Sequence, residues 1–185
     1  MALLRNARVE DDDWVFVTDD QPIPTEGAVV VSLARYQAER DRLNDRHDAL
    51  GLVLAAGETP RAIADDVARF ELICLDFPKF TDGRAYSAAR LLRERFDFQG
   101  ELRAIGNVLR DQLAFMWRCG FDAFEIPDSV NALKWLTAVN EISVHMQPAA
   151  DGPPDGGDRR GFSDVGALPG AHQARPAGNA ELWAR

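Results

Sequence analysis

Cysteine is scarce in this chain of 185 residues. Cys74 and Cys119 are the only two, far apart and without a Cys-x-x-Cys spacing, which excludes a disulfide scaffold and a cysteine-built zinc or iron–sulfur site. Histidine is equally thin: His47, His145 and His172 are scattered, so neither a metal cluster nor a Ser-His-Asp order is suggested, and no metal is expected. No run approaches the roughly 18 apolar residues that a membrane span needs. The first 13 residues carry arginines but turn acidic without a long apolar stretch, unlike a secretory leader. Positive charge is also short. The formal net charge of −9 argues against sequence-independent nucleic-acid binding and against a polybasic membrane anchor. Glycine-rich phosphate loops are missing, since neither Gly-x-x-x-x-Gly-Lys nor Gly-x-Gly-x-x-Gly occurs. No cofactor is evident, and the cytoplasm is the expected address.

What is present is alternation. Residues 28–33 (AVVVSL), 52–55, 72–75, 101–105 and 123–126 are short apolar or β-branched runs suited to strands buried on both faces. Residues 14–17 add a possible edge strand. Between them lie helix-favouring stretches: 34–49; a segment opened by Thr59 as N-cap and Pro60 at the first helical position, with Ile63, Val67 and Phe70 on one side; a helix whose apolar face is Ala85, Ala88, Ala89, Leu92 and Phe96; and one lined by Leu109, Leu113 and Met116, with Gly120 as its C′ glycine. Asp128 or Ser129 would cap a last helix ending near Ile142. The expected fold is α/β, about five mostly parallel strands alternating with helices, either an open doubly wound sheet or a partial β/α barrel. A complete eight-fold barrel needs about 250 residues. A single domain is expected over residues 1–146. Residues 147–185, rich in Gly, Pro and Ala, read as a disordered tail.

Parallel α/β folds bind ligands where the carboxyl ends of the strands meet the following loops. That rule selects residues 76–84 (DFPKFTDGR) and Gly106-Asn107 with Arg110 and Asp111. Lys79, Thr81, Asp82, Arg84, Asn107 and Arg110 are the candidate anion or ligand contacts, placed beside helix N-termini that favour negative charge. The same loop has a structural reading in which Phe77 and Phe80 pack over the sheet end and Asp82 caps a helix. Arg103, in the middle of a strand, must pair or reach a ligand; Glu101 and Asp76 are its expected partners. Cys74 reads as core and Cys119 as a packed thiol. Which side chains would act catalytically is left open.

Residues 75–84 (LDFPKFTDGR), 89–95 (ARLLRER), 100–113 (GELRAIGNVLRDQL) and 118–124 (RCGFDAF) together resemble the signature of a bacterial family, domain-of-unknown-function family 934, over roughly residues 14–127. Asn107 departs from that pattern, which has Asp there; an N-cap role survives the change, an acid–base role does not. The resemblance implies genes encoded beside assimilatory sulfite reductase and the adenylylsulfate-reducing enzyme, and the label of an oxidoreductase of sulfite reduction. It assigns no active-site residue. The expectation it supports is an accessory or partner protein of sulfate and sulfite reduction, binding sulfite reductase or another enzyme of that route, or an anionic intermediate. The alternatives are a small oxidoreductase or other enzyme acting on an anionic substrate, and a structural homodimeric module.

Overall fold

The computed structural model describes Ala2–Arg5, residues 8–127 and Trp135. Eight strands form one curled sheet: β1 (Ala2–Arg5), β2 (Arg8–Glu10), β3 (Val15–Phe16), β4 (Val29–Ser32), β5 (Leu50–Leu54), β6 (Leu72–Phe77), β7 (Glu101–Gly106) and β8 (Ala123–Ile126), in the order β2-β1-β8-β7-β6-β5-β4-β3. The expectation of about five strands is too low. The edge strand over residues 14–17 is real but holds only two residues. The charged N-terminal segment supplies two more strands: β1 pairs antiparallel with β8, and β2 pairs antiparallel with β1 at the sheet's outer edge. Their sequence, ALLR and RVE, is too short and too charged to announce a strand by periodicity. They are recruited by the open edge of β8.

From β3 to β8 every neighbouring pair is parallel and consecutive in the chain. Each strand is added on the same side of the last, so right-handed connections place their helices on one face. The burial follows. Leu33, Tyr36, Leu43, Ile63, Val67, Ala89, Leu92, Leu113 and Met116 share one apolar cluster with Val31, Leu52, Ile73, Leu75, Phe77, Leu102 and Phe124. The opposite face carries a smaller cluster of Val30, Leu72 and Cys74, with Trp14, Val53 and Ile105 against it. This is the winding of a barrel segment; a doubly wound sheet would reverse direction and put helices on both faces.

The connections are α1 (Leu33–Ala38) and α2 (Arg40–Asn44), two 3₁₀ turns (Pro60–Ile63 and Val67–Arg69), α3 (Arg84–Glu94), and a 3₁₀ turn (Arg110–Gln112) leading into α4 (Leu113–Arg118). Thr59 caps its turn as expected, accepting from the Arg61 N–H. The helix expected to run on to Phe70 is replaced by the two short turns, with Ile63, Val67 and Phe70 still buried. Asp66, between them, has its carboxylate taken by Tyr36 and Arg40. Gly120 follows the end of α4 at φ +104°, the left-handed position glycine fills. Among the described residues no helix is long and apolar enough to cross a membrane. The last helix from Asp128 and the tail from residue 147 lie outside the described residues, Trp135 apart, which is helical and buried.

Candidate functional site at the carboxyl ends of the parallel strands

Two loops build the rim. The first leaves β6 after Phe77 and enters α3 at Arg84; its Lys79 carbonyl accepts from the Asp82 N–H at 2.9 Å, closing a turn. Lys79, Phe80 and Thr81 are exposed. Asp82 does not cap α3 as expected. Gly83 takes the N-cap position, and the Asp82 carboxylate accepts instead from the Arg84 backbone N–H at 3.2 Å and from its guanidinium, Nε at 2.9 Å. That bidentate partner holds the Asp82 carboxyl down to about 2. Arg84 stretches toward the loop after β5: a Cβ on Gly57 would lie 2.9 Å from Arg84 Nη1.

The second loop leaves β7 through Gly106 at φ +84°. Its Asn107 N–H donates to the Phe77 carbonyl at 2.7 Å, and the Asn107 side chain is exposed. Asn107 is not an N-cap, because the following turn is capped at Leu109. Arg110 opens that turn on the surface. The loops are fastened to each other by Gln112 Nε2, which donates to the Phe80 carbonyl at 3.0 Å. So the fold brings Lys79, Thr81, Asp82 and Arg84 to one loop, Asn107 and Arg110 to the next, and the two loops to one edge of the sheet.

Arg103 stands apart. It lies in the middle of β7, opposite Cys74 on β6, with its side chain 2% exposed. Nε donates to Glu101 at 2.8 Å, as expected. Nη1 donates to Asp12 at 2.7 Å rather than to Asp76, because the segment after β2 passes over this face. Nη2 is left without a partner among the described residues. Its neighbourhood continues into Arg5, which bridges Glu10 and Glu101. Arg103 therefore holds the unhelical face of the sheet together, deeper than the rim.

Sequence reasoning passed over Asp76 as a site residue. It sits one position before the end of β6, opposite Ile105, and strand alternation turns it to the same face as Leu72 and Cys74. Its carboxyl is half-buried and, among the described residues, pairs with no cation. Burial first, and the charge of Asp82 second, raise its pKa. The one sequence signal for it was an acid at the end of an otherwise apolar strand.

Cys74 is fully buried and its thiol pushed far up by burial; Cys119 is buried too, and neither forms a disulfide among the described residues. His47 is exposed on the surface, and His145 and His172 lie outside the described residues. No group of three or more His, Cys, Asp or Glu among the described residues is placed to hold a metal.

The chain matches the family described as bacterial protein of unknown function (DUF934) over residues 51–155. It is a member of that family. The DUF934 match opens inside β5 and takes in both rim loops, Asp76 and Arg103, whereas β1 to β4 lie before it. Neither the curated proteins nor the solved structures give a match.

Proposed function

We propose that this DUF934 protein holds a small anionic ligand at the carboxyl ends of its parallel strands, and that it does so as an accessory partner in assimilatory sulfate and sulfite reduction. The observation that carries the binding reading is the fastening of two loops, through Gln112 and Phe80, at one edge of the sheet. Those loops present Lys79, Arg84 and Arg110 in a chain whose net charge is −9. A local cationic rim on an acidic protein selects small anions that reach the loops and repels extended polyanions. The metabolic setting rests on the family resemblance, whose members neighbour sulfite-reduction genes.

The test is a deletion strain grown on sulfate, on sulfite and on cysteine. The expected result is impaired growth on sulfate or sulfite and full growth on cysteine. Wild-type protein restores growth, and a double Lys79→Ala, Arg84→Ala variant does not. Equal growth of the deletion strain on all three sources would refute the setting, and full rescue by the double variant would refute the site. Co-purification with sulfite reductase separates a stable partner from a freely acting protein.

A second reading, an enzyme acting on an anionic substrate, is favoured by Asp76, a half-buried carboxyl of raised pKa at the rim of a barrel-like sheet.

A further inference from the structure

We propose that Phe80, Tyr86 and Phe115 form a docking surface for a different protein, one that presents an apolar socket bordered by acidic side chains. This rests on the partner reading above and gives that reading a surface.

Five large apolar side chains stand exposed among the described residues: Val9, Val15, Phe16, Phe80 and Phe115. The first three lie on β2 and β3, the outermost strands of the sheet. Phe80, 50% exposed, and Phe115, 51% exposed, come from different connections, and the fold brings them together. Gln112, at the start of α4, donates to the Phe80 carbonyl at 3.0 Å. Phe115 follows one turn later on the same side of that helix. From α3, the Tyr86 ring meets the Phe115 ring with centroids 4.8 Å apart. The Tyr86 N–H donates to the Gly83 carbonyl, so Tyr86 stands beside the loop that carries Phe80. Single exposed apolar residues are ordinary, but contiguous aromatic surface marks an interaction site.

The patch is held from beneath. Tyr86 packs on Phe77 at 5.2 Å and Phe77 on Phe121 at 5.8 Å, and both phenylalanines are buried. A column of rings thus runs from the core to the surface and ends at Phe115. A ring fixed in this way loses little freedom when a partner covers it. Aromatic anchors seated in a pocket of the partner supply much of the affinity in protein interfaces.

Charge selects the occupant. Lys79 precedes Phe80, and Arg110 lies two residues before Gln112, both exposed. Arg118 comes one turn after Phe115. Of the neighbouring acids, Asp82 is paired with Arg84, and Asp111 is exposed. The flanks are therefore cationic in a chain whose net charge is −9, and an acidic border on the partner complements them. A second copy of this chain fits poorly. A two-fold dimer presses the same patch against itself, which sets Lys79 and Arg110 of one copy against those of the other.

The experiment uses purified sulfite reductase, the partner named above, as the probe, with the full chain immobilised for biolayer interferometry. Wild type should bind it, and more weakly as added salt screens the cationic flank. A double Phe80→Ser, Phe115→Ser variant should bind roughly tenfold more weakly or worse. It should melt like wild type and keep wild-type sulfate affinity, because neither side chain is in the core or among the anion contacts. Phe115→Ser alone, which leaves the loop after β6 intact, should lose several-fold and keeps the test open if the double variant does not fold. Equal binding by wild type and both variants overturns the proposed surface. Loss of sulfate binding along with reductase binding overturns it too, since the rings would then belong to the anion site. A wild-type dimer in sedimentation that the double variant breaks overturns the choice of occupant. Absence of reductase binding by wild type overturns this proposal and the partner reading together, while sulfate titration of the same protein decides the anion site separately.

Discussion

The two ends of the sheet are built differently. At the amino ends of β7 and β8, Arg93 is buried on α3 and donates to the carbonyls of Phe98, Gly100 and Gly120 and to Asp122 at 2.7 Å. Asp122 returns the favour to the backbone by accepting from the Leu102 N–H at 2.8 Å. One ion pair thus ties α3, the approach to β7 and the turn before β8 into a closed clamp. At the carboxyl ends of β6 and β7 the corresponding acid, Asp76, has no cation partner among the described residues, and Arg84 and Lys79 stand in solvent. The difference teaches where the chain spends its polar groups: satisfied and structural at one end, exposed or unpaired at the other. Barrel-like α/β sheets divide stability and ligand binding between their ends in this sense.

Breaking the closed end should cost most. Arg93→Ala strands Asp122 beside three carbonyls and should lower unfolding free energy by about 3–5 kcal/mol, read as a shifted urea midpoint; Arg93→Lys should recover little, since an ammonium cannot reproduce the planar fork. Next comes the sheet face. Arg103→Ala removes the common partner of Glu101 and Asp12 and should cost about 2–3 kcal/mol, less because Asp12 can rehydrate. At the open end, Gly106→Ala should cost about 1–3 kcal/mol through backbone strain and the clash with Asp76 and Phe77, measured by thermal melting. A smaller effect sharpens the comparison through pH. Burial outweighs Arg93 and pushes the Asp122 carboxyl up to about 6. The folded state therefore holds a proton there that the unfolded chain releases near its ordinary value of about 4. Ionising it costs stability above about 6, and stability from this group rises as pH falls from about 6 toward about 4. Asp122→Asn should flatten that slope in urea midpoints taken across the range. Smallest is Arg84→Ala, whose pair with Asp82 is solvent-exposed and screened, so the variant should melt close to wild type. If it melts like wild type yet loses sulfate, the open end is for binding; a large loss of stability would erase the contrast.

The legibility of the molecule divides along the same lines. The strands read at 72–75 and 101–105 are present and run one or two residues further; the first was readable because a continuous apolar run between turn signals has few other uses, and the glycine at 120 because a helix end needs its positive φ. Arg93 was not, since a buried arginine on the core face of α3 interrupts the apolar stripe that pattern reading follows; its partners are carbonyls and an acid brought close only by the fold. The strands β1 and β2 were missed for a related reason: their place is set by the free edge of β8, 120 residues along the chain, and not by their own residues. At the site, the loop charges were visible in sequence, but their pairing was not. That Asp82 takes Arg84 is a local matter of the loop's turn, whereas that Asp12 rather than Asp76 takes Arg103 is a tertiary fact, decided by the segment that passes over this face.

The central claim is that ligand binds at the carboxyl ends of the strands and leaves the clamped ends untouched. Backbone amide NMR of the labelled protein titrated with sulfite tests it most directly. The account predicts shifts confined to residues 76–84 and 106–112, with Arg93, Leu102 and residues 120–122 unmoved. Shifts centred on the Arg93–Asp122 clamp, or none anywhere, would contradict it.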